Sequence, residues 1–250
     1  MDQGSFYDDI AEYYDLVYVD WESSMQRHGD AIAAMLGSAQ RARVRVLDVS
    51  AGIGTQALPL ASLGYDVVAR DVSEGAISRL RREAKSRGLK IDAAPGDMRN
   101  VSSSVNGQFD AVISFDNSIP HLLNDIEIAD TFRSLGGLLR PEGVLLISVR
   151  DYGAVDRTAR SFHSYGERIR DGRTFRLGQE WQWVDASHYS TTMIIESHDG
   201  TMWREVVRSS AQYYAVPINT LLDLMVKAGL KAAPVEEVPF FQPVLCGRAG

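Results

Sequence analysis

Residues 44–63, with the sequence VRVLDVSAGIGTQALPLASL, constrain the fold more than any other stretch of this chain. Residues 44–49 are a short, mostly apolar run with an acid, Asp48, near its end, which is typical of a buried strand. Residues 50–54 contain two glycines, and residues 55–63 return to helical spacing. A strand, a glycine turn and a helix N-terminus together predict a nucleotide-type site, because glycine lets the backbone approach a ligand closely.

The glycine turn does not fit a dinucleotide. The G-x-G-x-x-G fingerprint would fall on Ser50, Gly52 and Thr55, so two of its three glycines are missing. Asp48 would also repel a pyrophosphate at the helix N-terminus, whereas it suits a ligand with an ammonium or sulfonium group. No Gly-Lys-Ser/Thr follows, which excludes a Walker loop. For this stretch alone, an ordinary turn without a ligand is the alternative.

The segment D-V-S-A-G-I-G-T, residues 48–55, resembles motif I of the class I S-adenosylmethionine (SAM)-dependent methyltransferases, usually written (D/E)-x-G-x-G-x-G. Ser50 stands in place of the first glycine. The resemblance implies an α/β fold with a Rossmann-like, seven-stranded, mostly parallel sheet. It also implies SAM as the cofactor and S-adenosylhomocysteine (SAH) as its product.

The chain that follows alternates predicted strands with predicted helices, which indicates right-handed crossovers and a parallel sheet. We predict strands at residues 44–49, 66–69, 91–94, 109–115 and 144–149, and helices at 74–87 and 125–139. Ligands of such sheets bind beyond the carboxyl ends of the strands. The residues that directly follow each strand are therefore the candidates for a site.

Acids lie at the end of the first predicted strand, at Asp48, and shortly after the second and third, at Asp71 and Asp97. Asp71 can accept hydrogen bonds from both ribose hydroxyls, although an acid at this position would serve NAD equally well. Asp97 can accept from the adenine amino group, and Met98 can pack on the adenine ring. Asp48 is assigned to the methionine end of SAM.

The segments after the fourth and fifth predicted strands resemble one subgroup of these methyltransferases. F-D-N-S-I-P-H-L, residues 115–122, is similar to the N-S-x-x-H-L segment of glycine N-methyltransferases and their small-molecule relatives. V-R-D-Y, residues 149–152, is similar to the R-N-Y of the same family, whose arginine holds the amino-acid carboxylate. The resemblance implies that Asn117 and Arg150 face the acceptor and that His121 lies near the cofactor. A salt bridge from Arg150 to Asp116 or Asp151, and a purely structural His121, are the alternatives.

The predicted site combines the strand-end residues with aromatic residues near the N-terminus. Tyr14 and Tyr18 could stabilise the positive charge of a sulfonium, because an aromatic face attracts cations. The predicted catalytic residues are Tyr18, Asn117 and His121, and the predicted substrate contacts are Asn117, Arg150, Tyr18 and Tyr214. The predicted cofactor contacts are Tyr14, Arg27, Asp48, Ser50, Gly52, Gly54, Asp71, Val72, Asp97, Met98, Phe115, Asn117 and His121. No metal site is predicted.

Residues 151–212 leave the strand–helix alternation and carry hairpin signals at Asp171-Gly172 and Asp199-Gly200. They predict an antiparallel insertion of three or four strands that covers the site or forms a contact between copies of the chain. Residues 213–250 then complete the core sheet, with a helix at 218–227 and an antiparallel edge hairpin at 232–238 and 244–248. Residues 1–40 hold two predicted helices, 6–16 and 23–36, that form either a lid or part of the core. Residues 41–150 are the cofactor-binding core.

Charge and composition argue against several classes of protein. The net charge of −7 gives no electrostatic case for nucleic acid, and no apolar run approaches the ~20 residues of a membrane helix. The N-terminus lacks the apolar region of a signal peptide. The single cysteine, Cys246, allows neither an internal disulfide nor a cysteine metal site. We expect a soluble cytoplasmic protein with a small-molecule substrate, and a homo-oligomer formed through the β insertion is one of the open alternatives.

The sequence predicts methyl transfer from SAM to a small acceptor, in the first place the amine of an amino acid or another carboxylate-bearing metabolite. An amine needs no strong base on the enzyme, which agrees with the absence of a clear nucleophile–base pair. One alternative is an O-methyltransferase for a natural-product hydroxyl, with His121 as the base. The others are an NAD-dependent oxidoreductase and a non-catalytic SAM-binding protein.

Overall fold

The computed structural model describes residues 3–37, 44–158, 160–236 and 240–250. Its main sheet has seven strands in the order β3-β2-β1-β4-β5-β11-β10. The first five strands of that order are parallel, and β11 pairs antiparallel with both β5 and β10. The seven strands are β1 Arg45–Asp48, β2 Asp66–Asp71, β3 Asp92–Pro95, β4 Phe109–Ser114, β5 Leu139–Ser148, β10 Lys231–Pro234 and β11 Val244–Arg248. The predicted seven-stranded, mostly parallel sheet is confirmed.

The helices pack on both faces of this sheet and bury two large apolar clusters against it. They are α1 Gln3–Ile10, α2 Trp21–Leu36, α3 Ala57–Ser62, α4 Glu74–Ser86, α5 Asp125–Gly136 and α6 Ile218–Lys227, with a 3-10 helix at Ala11–Val17 between α1 and α2. Asp20, Ser73 and Asn124 cap α2, α4 and α5, each accepting a hydrogen bond from a backbone N–H of the first turn. Within the described residues, no helix combines the length and the apolar character that crossing a membrane requires.

Two predicted boundaries differ from the structure for identifiable reasons. Residues 140–143, which lie between the predicted helix 125–139 and the predicted strand 144–149, belong to β5 and form an irregularity in it, where the pairing with β4 shifts register and Glu142 adopts a φ of +62°. The strand therefore begins at Leu139. The helix predicted at 125–139 ends at Gly136, because two consecutive glycines follow Leu135 and glycine is costly within a helix. The first predicted helix, 6–16, changes to 3-10 geometry after Ile10.

The insertion is a second sheet of four antiparallel strands in the order β6-β7-β8-β9. The strands are β6 Arg160–Arg170, β7 Arg173–Trp183, β8 His188–His198 and β9 Trp203–Tyr214. Both predicted Asp-Gly pairs lie in its turns. Alternate residues of β8 are buried, and Met193 and Ile195 join the same apolar cluster as Leu47 and Leu145 of the main sheet. One face of the insertion thus packs on the core.

β9 runs to Tyr214, two residues past the boundary predicted at 212. The other face of the insertion leaves apolar side chains exposed, such as Phe162 and Ile169 on the outer strand β6. A contact between copies of the chain through this sheet stays a prediction. The predicted strand at 232–238 ends at Pro234, and residues 237 and 238 lie outside the described residues.

Gly54 provides a test of the packing between the glycine loop and α4. Its φ is +102°, and an added Cβ would lie 2.9 Å from Leu58 and closer still to Leu80. Gly64 has a similar φ, +92°, with nothing within 4 Å of an added Cβ. We expect Gly54→Ala to lower the free energy of unfolding by ~2–4 kcal/mol, and Gly64→Ala by only ~1–2 kcal/mol, because overpacking adds to the backbone strain. Urea unfolding measures both, and equal losses would show that the loop yields to the extra methyl.

Candidate active site

Two cavities meet at the carboxyl ends of the parallel strands. We name the first the glycine-loop cavity. Its lining residues are Tyr7, Ala11, Tyr14, Val49, Ser50, Ala51, Gly52, Ile53, Thr55, Gln56, Asp71, Val72, Ala76, Asp97, Met98, Asp116, Ser118, His121 and Leu122. We name the second the arginine cavity. Its lining residues are Tyr7, Tyr14, Val17, Tyr18, Asp116, Asn117, Arg150, Tyr165, Gln179, Trp181, Tyr189, Thr191, Tyr213, Phe241 and Gln242. The two cavities adjoin, since Tyr7, Tyr14 and Asp116 line both.

The glycine loop is fixed to the end of β2. The backbone N–H of Gly52 donates to Oδ2 of Asp71 at 2.8 Å, and that of Ser73 donates to Oδ1 at 2.9 Å. Gly52 has a φ of +50°, and an added Cβ would meet no atom within 4 Å. Any side chain there would therefore project into the open space that the cavity offers a ligand.

The charges on the glycine-loop cavity are all of one sign. Asp71, Asp97 and Asp116 line it, and no lysine or arginine does so among the described residues. The carboxylate of Asp97 also pairs with Arg99, whose bonds lower the pKa of Asp97 against the effect of burial. Three carboxylates without a basic partner on the wall favour a cationic ligand and oppose a pyrophosphate.

Asp48 lies beneath the loop rather than on the cavity wall. Only 1% of it is exposed, Oδ1 accepts a hydrogen bond from the Ser50 N–H at 3.2 Å, and Oδ2 has no partner among the described residues. Burial raises the pKa of Asp48 to about 8, and the charges of Asp71 and Asp116 act in the same direction. Asp48 is therefore protonated at neutral pH in the ligand-free chain, and the structure does not place it at the methionine end of a ligand as predicted.

The turn after β4 presents Asp116 and Asn117 in unusual backbone conformations, with φ of +57° and +65°. The Asn117 side chain is part of a structural network, because its Oδ1 accepts from the Arg150 N–H at 2.9 Å and its Nδ2 donates to the Tyr152 hydroxyl at 2.8 Å. Asn117 also lines the arginine cavity. The turn therefore couples the end of β4 to the residues after β5.

The guanidinium of Arg150 stacks 4.4 Å from the centre of the Trp181 ring. It makes no ion pair and no hydrogen bond with any residue that the structure describes, and its Nε is buried without a partner. The alternative salt bridge to Asp116 or Asp151 is not formed. A cation held in place by an aromatic ring, but without an anion, is suited to bind an anionic ligand group.

His121 is buried and joined to the N-terminal helix. Its Nε2 lies 2.8 Å from the Tyr7 hydroxyl, and its Nδ1 lies 3.2 Å from the Gln212 carbonyl. The carbonyl can only accept, so Nδ1 carries the proton and Nε2 accepts from Tyr7. Burial lowers the pKa of His121 to about 4, which keeps the ring neutral at physiological pH.

The structure brings most predicted site residues together and leaves five others away from the cavity linings. Predicted residues on the glycine-loop cavity are Tyr14, Ser50, Gly52, Asp71, Val72, Asp97, Met98 and His121, and those on the arginine cavity are Tyr14, Tyr18, Asn117 and Arg150. Besides Asp48, four lie on neither lining. Gly54 packs against Leu58 and Leu80, Phe115 packs edge-on against Phe240, and exposed Arg27 bonds to Ser24. The Tyr214 hydroxyl donates to Asp125.

Several lining residues were not among the predicted ones. Tyr213 occupies the place predicted for Tyr214, because neighbouring residues of a strand point to opposite faces and the register of β9 was not known. Asp116 lies within the quoted segment 115–122, directly before Asn117, and Gln56 directly follows the quoted segment 48–55, so both could have been found from those motifs. For Tyr7, Gln179 and Trp181, no sequence motif indicated that these residues, rather than others of the same helix or strand, would line a cavity.

Comparison with known proteins agrees with this arrangement. Residues 46–143 match the family model described as a methyltransferase domain. The glycine/sarcosine N-methyltransferase of Halorhodospira halochloris is 32% identical over 148 residues, which are 59% of this chain and 54% of that protein. A ubiquinone biosynthesis O-methyltransferase of Methylocella silvestris is 34% identical over 119 residues, 48% of this chain and 43% of that one. The chain thus spans about half the length of the curated relatives it matches.

A structural neighbour extends the likeness to the whole fold. CalS10, described as an amino pentose methyltransferase from Micromonospora echinaspora and solved with SAM bound, superposes with a TM-score of 0.76 at 17% identity over 96% of this chain and 95% of its own. The fold is that of a Rossmann-like methyltransferase. More particularly, residues 46–143 match a methyltransferase domain, and the SAM bound in the solved neighbour agrees with the cofactor that the sequence motifs predict.

The glycine-loop cavity fits SAM by its own chemistry. SAM carries a sulfonium, and the wall offers three carboxylates and no basic side chain among the described residues. Gly52 leaves space where a side chain would stand, and Met98 supplies an apolar contact. The individual contacts of Tyr14, Ser50, Gly52, Asp71, Val72, Asp97, Met98 and His121 with the cofactor stay predictions.

The raised pKa of Asp48 predicts a pH-dependent stability. The pKa is about 8 in the folded chain against 3.8 for an ordinary Asp, so the folded state holds a proton that the unfolded state releases between these values. We expect wild type to lose stability relative to Asp48→Asn as the pH rises from about 4 to about 8, by at least about 1 kcal/mol, and the difference to be constant above that range. Urea unfolding of both proteins across this range measures it. A difference independent of pH would contradict the assignment.

Proposed function

We propose that this protein transfers a methyl group from SAM to the amine of a small, carboxylate-bearing acceptor. The observation that carries the proposal is that a cavity lined by three carboxylates adjoins a cavity lined by Arg150, whose guanidinium has no ion pair with any described residue. SAM, when bound, supplies a methyl group on an electrophilic sulfonium. The similarity to glycine/sarcosine N-methyltransferases supports an amine as the acceptor, since that name gives their substrates.

In this proposal the chain acts by positioning. The three residues shared by both cavities lie where an acceptor would meet the methyl donor, and holding two reactants in line can contribute ~7–11 kcal/mol. Tyr14 and Tyr18 offer aromatic surface to the positive charge, which passes from sulfur to the acceptor nitrogen. Burial raises the pKa of both phenols, so their hydroxyls stay protonated. Asn117 holds the turn that carries the acceptor side, through its bonds to Arg150 and Tyr152.

O-methylation is the second candidate, because an O-methyltransferase is also similar, with 34% identity over a shorter stretch, 119 residues against 148. It would need a base for the acceptor hydroxyl, and His121 is the predicted one. Nε2 of His121 accepts from Tyr7, its pKa is about 4, and it lines the glycine-loop cavity but not the arginine cavity. These features favour an amine, which requires no base on the enzyme. An NAD-dependent oxidoreductase is disfavoured by the three carboxylates.

Mass spectrometry of acceptors after incubation with isotope-labelled SAM tests the proposal directly. The panel pairs each amino carboxylate with the matching hydroxy carboxylate, such as glycine with glycolate. We expect label in the amines. Label only in the hydroxy compounds would favour O-methylation, and SAM binding without any labelled product would indicate a non-catalytic SAM-binding protein.

Asp71 provides a test of cofactor recognition. Hydrogen bonds to a charged group contribute ~1.5–3 kcal/mol, so we expect Asp71→Asn to raise the dissociation constant of SAM by about tenfold or more. The matched control is Asp66→Asn, at the exposed start of the same strand, where Asp66 pairs with Arg45. Isothermal titration measures both, after circular dichroism has shown that each variant is folded. Unchanged SAM affinity in Asp71→Asn would remove Asp71 from the cofactor contacts.

Arg150 provides a test of the acceptor class. We expect Arg150→Ala to raise the KM for a carboxylate-bearing acceptor at least about tenfold, since a charge-assisted hydrogen bond is lost, while the dissociation constant of SAM stays the same. Arg157→Ala is the matched control, because Arg157 stacks on Trp183 at 4.9 Å but does not line the arginine cavity. If Arg150→Ala and Arg157→Ala alter the KM equally, Arg150 does not bind the carboxylate.

A further inference from the structure

Asp116 has one satisfied and one unsatisfied carboxylate oxygen. The Tyr18 hydroxyl donates to Oδ2 at 2.8 Å, and Nε2 of Gln56 donates to the same oxygen at 3.0 Å. Oδ1 is buried and has no partner among the described residues. A buried polar atom without a partner costs ~1–3 kcal/mol, and folded proteins retain few of them. The terminal torsion of Asp is broad, so a ligand donor that bonded to Oδ1 after rotation of the carboxylate would relieve this cost.

The backbone at Asp116 adopts a left-handed conformation that glycine adopts at lower cost. Its φ of +57° is followed by +65° at Asn117, and two consecutive left-handed residues that are not glycine are costly. Ser148 holds the turn in place, accepting the Asp116 N–H on its hydroxyl at 2.8 Å and the Asn117 N–H on its carbonyl at 3.2 Å. The chain thus tolerates strain where it presents a carboxylate, which is typical of residues that act on a ligand.

The arginine cavity has a charged residue of each sign on its wall. Of the described residues that line it, only Asp116 and Arg150 carry a charge, one of each sign, and they do not pair with each other. Eight of its lining residues are aromatic. Two separate, opposite charges on an aromatic wall are complementary to a zwitterion with an ammonium group, a carboxylate and an apolar body.

We propose that Asp116 binds the amino group of the acceptor while Arg150 binds its carboxylate, so that the substrate class is an amino carboxylate with an apolar or aromatic body. This inference rests on the proposed function. Asp116 lines both cavities, so it lies where the acceptor nitrogen would meet the donor. The neutral amine, after losing one proton to water, forms the new nitrogen–carbon bond as the carbon–sulfur bond breaks with its electron pair on sulfur. The carboxylate then stabilises the positive charge that the nitrogen gains.

Binding of three related probes to the SAH-loaded protein tests the inference. Phenylalanine carries both charged groups, phenethylamine lacks the carboxylate, and 3-phenylpropionate lacks the amino group. We expect Asp116→Asn to weaken the binding of phenylalanine and phenethylamine about tenfold or more, and to leave 3-phenylpropionate within about threefold. Arg150→Ala should give the mirror pattern, with phenethylamine spared. Isothermal titration measures the binding of each of the three probes to wild type, to Asp116→Asn and to Arg150→Ala.

Two further variants separate recognition from folding. Asp116→Gly removes the carboxylate and also relieves the left-handed strain, so it should fold and lose the two amines as Asp116→Asn does. Asp151→Asn removes an exposed acid that bonds to Gly153 outside the cavity, and should bind all three probes like wild type. SAH lacks the sulfonium that the Asp116 carboxylate would face in SAM, so SAH affinity should be unchanged in every variant.

Turnover with labelled SAM keeps the two proposals apart. If wild type methylates phenylalanine but Asp116→Asn and Asp116→Gly bind both amines normally, the role of Asp116 is overturned and the proposed function stands. A loss of SAH affinity in the Asp116 variants would place the residue on the cofactor instead, and also overturns it. If wild type neither binds nor methylates any amine of this series or of the glycine panel, both proposals fail.

Discussion

The parallel pairing of β1 with β2 on one side and β4 on the other is the constraint on which the site depends. Backbone hydrogen bonds continue past the strand ends, from the Val49 N–H to the Ile113 carbonyl and from the Ala51 N–H to the Arg70 carbonyl. Because parallel strands end at the same edge, this pairing brings Asp48, Asp71 and Asp116 into one electrostatic neighbourhood. The acids are far apart in sequence, and only the sheet places them together.

Collecting acids in this way is unfavourable in the absence of a ligand. The chain reduces the cost by satisfying Asp71 with two backbone N–H groups and Asp97 with Arg99, and by burying Asp48 with a raised pKa. For Asp116, both hydrogen-bond donors bond to the same carboxylate oxygen, Oδ2. Negative charge therefore remains on the wall of the glycine-loop cavity, and a sulfonium would neutralise it.

The sequence was sufficient for those parts of the fold and site that are local in the chain. The glycine loop, Asp71, and Met98 directly follow strands whose apolar runs are plain, so their position at the sheet edge follows from topology alone. Asp48 belongs to the same motif, but whether its side chain faces the ligand or the core depends on the path of the loop above it. The insertion was predicted as antiparallel strands from its Asp-Gly turns. Its register was not, which is why Tyr214 was chosen over Tyr213. Tyr7 and Trp181 reach the cavities through contacts between distant elements, for which a single sequence carries no signal.

The two cavities differ in how far the methyltransferase-domain match covers their lining residues. The glycine loop, Asp71, Asp97 and Asp116 all lie within residues 46–143, the span that matches the methyltransferase domain. Tyr18, Arg150 and Trp181, which shape the arginine cavity, lie outside that span. Similarity over the domain therefore identifies the donor side and says much less about the acceptor. The acceptor must be inferred from the chemistry of the cavity wall, where a stacked guanidinium and a half-satisfied carboxylate face a space lined with aromatic rings. A domain conserved for its donor can serve many acceptors when a separate sheet and the N-terminal helices supply the opposite wall.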